Sequence, residues 1–251
     1  MSIKKKSKKR VATKKKFVGA SVKVDLTKNK VSAQEMLKSG VHFGHSKSRK
    51  DPRMEKYIFT TKKGINIIDL QKTEEMLNNA LDFVKKIRKE GKKILFVGTK
   101  KQSKFLVKAV AEKCEMPYVE ERWLGGTFTN FSVIKKRAEY LRNSQDKMDK
   151  GEFDKYTKLE KLKKSEELEK LEKKMGGIKN MKELPGAVFI VDIKADSIAL
   201  KEALKANIPI IALVDTNVNP EQVDYPIPAN DDAVSSVKLI LEYVGTVIFE
   251  K

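Results

Sequence analysis

Apolar positions change their spacing several times along this chain, and each change marks an element. Ordered patterning begins near Ser32, where Ser32 and Glu35 predict a capping box ahead of Met36 and Leu37, with Gly40 as the helix stop. A polar loop follows, then two short strand-like runs, Tyr57–Thr61 and Ile65–Asp69. Met76, Leu77, Ala80, Leu81, Val84 and Ile87 recur at helical spacing and predict a helix over Thr73–Glu90, ended by Gly91. Thereafter strands and helices alternate. Lys93–Val97 is a strand, 101–114 a helix and Tyr118–Glu120 a short strand. Ala187–Asp192 and Ile208–Val214 are strands around a helix at Asp196–Ala206. Val223–Ile227 is a short extended piece, and Asn230 caps a last helix reaching about Phe249. Near-continuous apolar strands separated by helices imply a parallel sheet covered on both faces.

Residues 129–180 interrupt that alternation. Phe131, Ile134, Ala138 and Leu141 step by three and four, as do Tyr156, Leu159, Leu162, Leu168, Leu171 and Met175, with Lys and Glu between them. Gly151 offers a turn between the two stretches. The pattern predicts an antiparallel coiled-coil hairpin with a narrow apolar seam. The expected organisation is therefore a basic arm (1–30), an α/β globular domain (31–128 and 181–251) and the hairpin insertion (129–180).

Charge adds a partner class. The net charge is +20, and residues 1–30 hold twelve Lys or Arg against one acid, Asp25, so the arm carries +11 of it. Lys4, Lys5, Lys6, Lys8, Lys9, Arg10, Lys14, Lys15 and Lys16 repel one another and have little apolar surface to order them. Fully extended, thirty residues reach ~100 Å. Such a segment attracts polyanions. A hydrophobic fraction of 40% supports a real core. The single cysteine, Cys114, rules out an intramolecular disulfide and fits a reducing cytoplasm. No apolar run approaches the ~20 residues that span a bilayer, so no membrane partner is expected.

Candidate chemistry is sparse. His42 and His45 flank Phe43-Gly44, but no cysteine or carboxylate cluster adjoins them in sequence, so no metal site is expected. With Lys47, Arg49, Lys50 and Arg53 close behind, and Lys62 and Lys63 further on, they read as phosphate-facing. Leu95-Phe96-Val97-Gly98-Thr99-Lys100-Lys101 is a strand, a glycine turn and a helix start, where backbone N–H groups with Lys100, Lys101 and Lys104 can meet a phosphate. It carries neither a Walker loop nor a dinucleotide fingerprint. Arg122-Trp123-Leu124-Gly125-Gly126 stands where the sheet hands over to the hairpin. Trp123 and Arg122 either stack on bases or sugars, or Trp123 plugs the hairpin base; both roles remain open. Lys135, Lys136 and Arg137 complete the cationic candidates. Asp192, Asp196 and Asp215 lie at strand ends, where acids commonly cap turns, and neither histidine enters a nucleophile–base pattern, so no catalytic residue is named.

Taken in order, several blocks resemble the bacterial family of small-subunit ribosomal protein two (S2). They are Met36–His45, Ile67–Thr73, Ile94–Lys100, Arg122–Gly126, Gly176–Lys179, Leu184-Pro185, Val214–Asn217 and Ile227–Ala233. The resemblance runs from about residue 32 to 249. It implies a Rossmann- or flavodoxin-like parallel sheet flanked by helices, with a coiled-coil hairpin. It further implies a cytoplasmic, non-enzymatic structural constituent of the small ribosomal subunit, without cofactor or small-molecule substrate. Such a protein binds 16S rRNA between head and body, among other small-subunit proteins, and helps the large mRNA-binding one to dock. The basic arm is longer than the family usually carries. The stretch Asp192–Asp196 also lacks the histidine that many relatives place after the second Asp. A nucleotide-binding α/β enzyme is the alternative, and it would need a phosphate loop or an acid/base pair. A basic packaging protein would explain the arm but not the apolar core.

Overall fold

The computed structural model describes residues 24–27, 31–151 and 157–249. Nine candidate cations of the arm, Lys4, Lys5, Lys6, Lys8, Lys9, Arg10, Lys14, Lys15 and Lys16, lie outside those residues. Seven α-helices and eight strands are present among the described residues. They are α1 (Ala33–Lys38), β1 (Phe43–Ser46), β2 (Ile58–Lys62), β3 (Ile65–Ile68), α2 (Leu70–Lys89), β4 (Ile94–Val97), α3 (Lys104–Lys113) and β5 (Tyr118–Val119). Then follow α4 (Phe131–Asp149), α5 (Lys158–Met175), β6 (Ala187–Ile190), α6 (Ser197–Lys205), β7 (Ile210–Val214), β8 (Tyr225–Pro228) and α7 (Val234–Phe249).

Five strands form an all-parallel sheet in the order β5-β4-β6-β7-β8. Numbered within the sheet this is 2-1-3-4-5, the flavodoxin-like order, whose switch point falls between β4 and β6. The continuous apolar runs follow from burial on both faces. Phe96, Phe189, Ile211 and Leu213 meet α2, α3 and α7 in one core, while Leu95, Val188, Ile190 and Ala212 meet α4, α5 and α6 in the other. None of the described helices is long and apolar enough to cross a membrane.

A second sheet, antiparallel with β3 central between β1 and β2, holds the chain ahead of α2. Its strand Phe43–Ser46 falls where the sequence pattern predicts a loop. Burial there is partial and the pairing to β3 irregular, so the local pattern carries little period-two signal. The capping box expected at α1 is absent. Ser32 makes no side-chain cap, and the Glu35 carboxylate instead accepts from the Tyr243 hydroxyl at 3.0 Å. A capping box does form at α5, between Thr157 and Glu160.

Phe131–Asp149 and Lys158–Met175 are helices that pack on each other, and their apolar residues also extend a larger core. Ile134, Ala138, Leu141, Leu168 and Met175 join the second core beneath the sheet, while Leu159 and Leu162 stay exposed. At the return to the sheet, Gly177 packs so closely that a Cβ there would lie 2.2 Å from the Tyr118 carbonyl oxygen. Residues 24–27, which the charge pattern assigns to the arm, lie on the globular domain: Val24 is buried in the first core, and Asp25 N–H donates to Glu242 at 2.8 Å. Cys114 is half-buried beside the Gly245 carbonyl, and burial pushes its thiol up to about 11.

Candidate nucleic-acid interface and the carboxylate cluster beside it

The C-terminal ends of β4, β6 and β7 deliver Thr99, Lys100, Asp192, Asp196 and Asp215 to one place, and the loop before α7 adds Asp231 and Asp232. The Lys100 ammonium sits 2.6 Å from Asp192, 2.9 Å from Asp231 and 2.9 Å from Asp232. Burial alone would lower its pKa, but these carboxylates outweigh that and raise it. Thr99 donates its hydroxyl to Asp196 at 2.8 Å, and burial together with the Asp192 charge pushes Asp196 up to about 6. Burial, then Asp192, pushes Asp231 up to about 7. Asp232 moves the other way, lowered by its hydrogen bond from Lys100.

His45 closes the cluster from the small sheet. Its Nδ1 is 3.1 Å from Asp215 and its Nε2 3.5 Å from Asp232, and its backbone N–H donates to Thr216 Oγ1 at 2.8 Å. The Asp215 hydrogen bond is the main cause of its raised pKa. His45 therefore ties β1 to the end of β7 rather than facing solvent. His42 is half-buried, and desolvation lowers its pKa.

This arrangement revises the expectation for the glycine turn at 98–101. In flavodoxin-like sheets the switch point is where ligands enter. Here that crevice holds a lysine already matched to three carboxylates, so a phosphate arriving there would meet like charge. Lys104 is likewise engaged, 3.0 Å from Glu121. Only Lys101 of that trio is exposed without an ion pair among the described residues.

The Asp231 shift carries a pH prediction. Its folded-state value, about 7, lies above the ordinary 3.8, so the folded chain holds that proton more tightly than the unfolded one. Stability linked to this group is complete below about pH 4 and is lost as pH rises to about 7. The Tm difference between Asp231→Asn and the native chain should grow more positive from about pH 5 to about pH 7.5. A pH-independent difference in thermal melts would remove this carboxyl from the account.

A second buried acid organises the loop before α4. Glu202 on α6 accepts from Trp123 Nε1 at 3.2 Å, Gly126 N at 2.7 Å, Phe128 N at 3.0 Å and Thr129 N at 3.4 Å. Burial works against its charge, but these donors outweigh it and lower the pKa. Trp123 is buried and packs edge-on against Phe128, ring centroids 4.9 Å apart. Of its two open roles, the structure supplies the internal one, and the ring has no free face for a base. Sequence reading missed Glu202. The available signal was an acid three residues after Ala199 and one before Ala203, on the face that α6 buries.

The remaining candidates sort by pairing. Lys50 is paired with Glu55, and Arg53 lies 3.9 Å from Glu221. Lys47, Arg49, Lys62, Lys63, Lys101, Arg122, Lys135, Lys136 and Arg137 are exposed, and none is in an ion pair among the described residues. The first four surround the small sheet, and the last three share α4.

Comparison with known proteins decides the family. The sequence model described as ribosomal protein S2 matches residues 36–251. The chain belongs to the ribosomal protein S2 family. It is 49% identical over 220 residues to the small ribosomal subunit protein uS2 of Treponema pallidum subsp. pallidum, covering 88% of this chain and 76% of that one. The same protein of the Nichols strain of Treponema pallidum matches with the same figures. The S2 match takes in both sheets, the carboxylate cluster and the α4–α5 region, and leaves the arm outside it.

Proposed function

We propose that this chain is a structural, non-catalytic constituent of the small ribosomal subunit in the cytoplasm. It binds 16S rRNA between head and body and supports docking of the large mRNA-binding protein. The observation that carries the reading is the family match across residues 36–251, together with the names of its relatives. The exposed cations without an ion pair among the described residues support RNA lying around the small sheet and along the Lys135–Arg137 turn of α4, and the charge of the arm's sequence supports a third contact there. Phosphate contacts supply affinity and shape supplies position.

Sedimentation of lysate tests the assignment, since it requires the chain in the small-subunit peak. Salt dependence tests the mechanism. Removing residues 2–22 takes away nine cations but leaves Val24 to pack on the core. Binding to 16S rRNA should then depend less steeply on salt, by about 0.7–0.9 in log–log slope for each lost phosphate contact. An unchanged slope would take the arm out of the interface.

A further inference from the structure

A hollow of about 490 Å³ opens below the N-terminal ends of β4 and β5, at the opposite end of the parallel sheet from the carboxylate cluster. Its floor is apolar: Ala111, Pro117 and Met181 are buried and Met116 is half-buried. Its rim is charged, and the charges do not cancel. Lys179 is matched to Glu172 at 2.9 Å, and Lys93 donates to the Glu115 carbonyl oxygen at 3.3 Å. Glu112 and Glu115 are exposed, and neither carboxylate is in an ion pair among the described residues. Glu112 accepts from the Tyr118 hydroxyl at 2.9 Å. Two unmatched carboxylates repel a phosphate, and the methionines below them favour an aromatic side chain. The hollow therefore suits a cationic segment that carries a ring.

The chain supplies such a segment nearby. Residues 1–23 hold ten Lys or Arg and no acid, and Lys14-Lys15-Lys16 is followed at once by Phe17. They lie outside the described residues, but their point of attachment is fixed. Val24 is buried in the first core, and its carbonyl accepts from Lys113, which stands between Glu112 and Glu115 in the chain. An α-helix with its side chains is about 10–12 Å across, so the route from Val24 around the end of α3 to the hollow is of that order. Phe17 is seven residues from Val24, ~23 Å of extended chain, and Lys14 is ten residues away, ~33 Å. The tether reaches with slack. A short tether also holds its end at about millimolar effective concentration, so a contact too weak to capture a separate peptide forms within one chain.

We infer that this hollow is the seat of the chain's own basic arm in the RNA-free protein, with Phe17 against the methionine floor and Lys14, Lys15 and Lys16 opposite Glu112 and Glu115. The contact is autoinhibitory. An arm seated on carboxylates is withheld from polyanions, and RNA must displace it to use its charge. Occupancy of the hollow stands on the geometry and the charge pattern; release by RNA rests on the RNA-binding reading above.

The test uses the full chain with Phe17→p-benzoylphenylalanine, a photoreactive ring. Irradiated at low salt without RNA, it should attach within the same chain to peptides carrying Met116 or Met181. Glu112→Gln with Glu115→Gln should cut that yield at least about threefold, as loss of two exposed ion pairs would. Salt at about 0.5 M should do the same, and 16S rRNA should abolish the attachment. RNA affinity gives a second reading. The double Gln substitution should raise it at least about threefold in the full chain, and less than about 1.5-fold once residues 2–22 are removed, which separates a freed arm from the gain in net charge. The seat is overturned by no attachment, by attachment spread over the surface, or by a yield unchanged in the double variant. Attachment between chains that grows with protein concentration would overturn it in favour of a second copy. An equal affinity gain with and without the arm would overturn the autoinhibition. Attachment at the hollow that 16S rRNA leaves unchanged would confirm the seat and overturn its release by RNA.

Discussion

Lys100→Met should lower stability by about 3 kcal/mol or more, while leaving RNA affinity of the folded chain close to native. Its partners Asp192 and Asp231 have side chains 4% and 3% exposed, so removing the ammonium strands two carboxylates away from water. Breaking a buried ion pair from one side costs about 3–5 kcal/mol. For a chain of this size that is a fall in Tm of roughly 6–20 °C, readable by calorimetry. A second substitution checks the cause. Asp231→Asn should recover part of the loss in the Lys100→Met background, and more of it as pH rises above about 7, where the Asp231 carboxyl would otherwise carry a charge without its counter-ion. Loss of RNA affinity without loss of stability would return Lys100 to the phosphate-facing group in which sequence reading placed it.

Glu202→Gln should cost about 2–5 kcal/mol, with the damage concentrated in the loop before α4. The carboxylate offers two acceptor oxygens to four N–H groups, and glutamine turns one of them into a donor facing Phe128 and Thr129. Each donor left unpaired in a buried site costs about 1–3 kcal/mol. Trp123 is the only tryptophan, so its fluorescence reports on this loop alone. The emission should shift to the red in Glu202→Gln before global unfolding begins. A native spectrum with native stability would show that the loop holds its shape without the carboxylate.

Much of the architecture is legible in the sequence because burial on two faces leaves a strong mark. Ile94–Val97, Ala187–Ile190 and Ile210–Val214 read as uninterrupted apolar strands, and all three are central in the parallel sheet. Leu77, Ala80, Leu81, Val84 and Ile87 disclose the buried stripe of α2. Where burial is partial, the pattern fades. Phe43–Ser46 is a strand whose residues are half in water, so alternation does not reveal it. α4 and α5 keep the helical period and pack on each other, but periodicity does not show that Ile134, Ala138, Leu168 and Met175 belong to the same core as Leu95 and Val188 of the sheet.

The candidate site was legible as a list of cations and illegible as a set of pairs. Sequence spacing cannot show that Lys100 meets Asp231 and Asp232, more than 130 residues away, or that His45 meets Asp215. Once those contacts form, the same lysine changes from a phosphate donor into the internal counter-ion of a carboxylate cluster. Lys62 and Lys63 have no such distant partner among the described residues and stay exposed.

The short segment at residues 24–27 has a geometric corollary. Val24 is seated in the core, with its carbonyl accepting from Lys113 at 2.6 Å, and Asp25 is hooked to Glu242 on α7. The cation-rich leader is thus moored at the α3–α7 side of the body. Residues 1–23 can reach at most ~75 Å from that mooring when fully extended, so any phosphate they met would lie within that distance. Moving the mooring, rather than altering the leader's charge, would redirect which part of a large RNA it can reach.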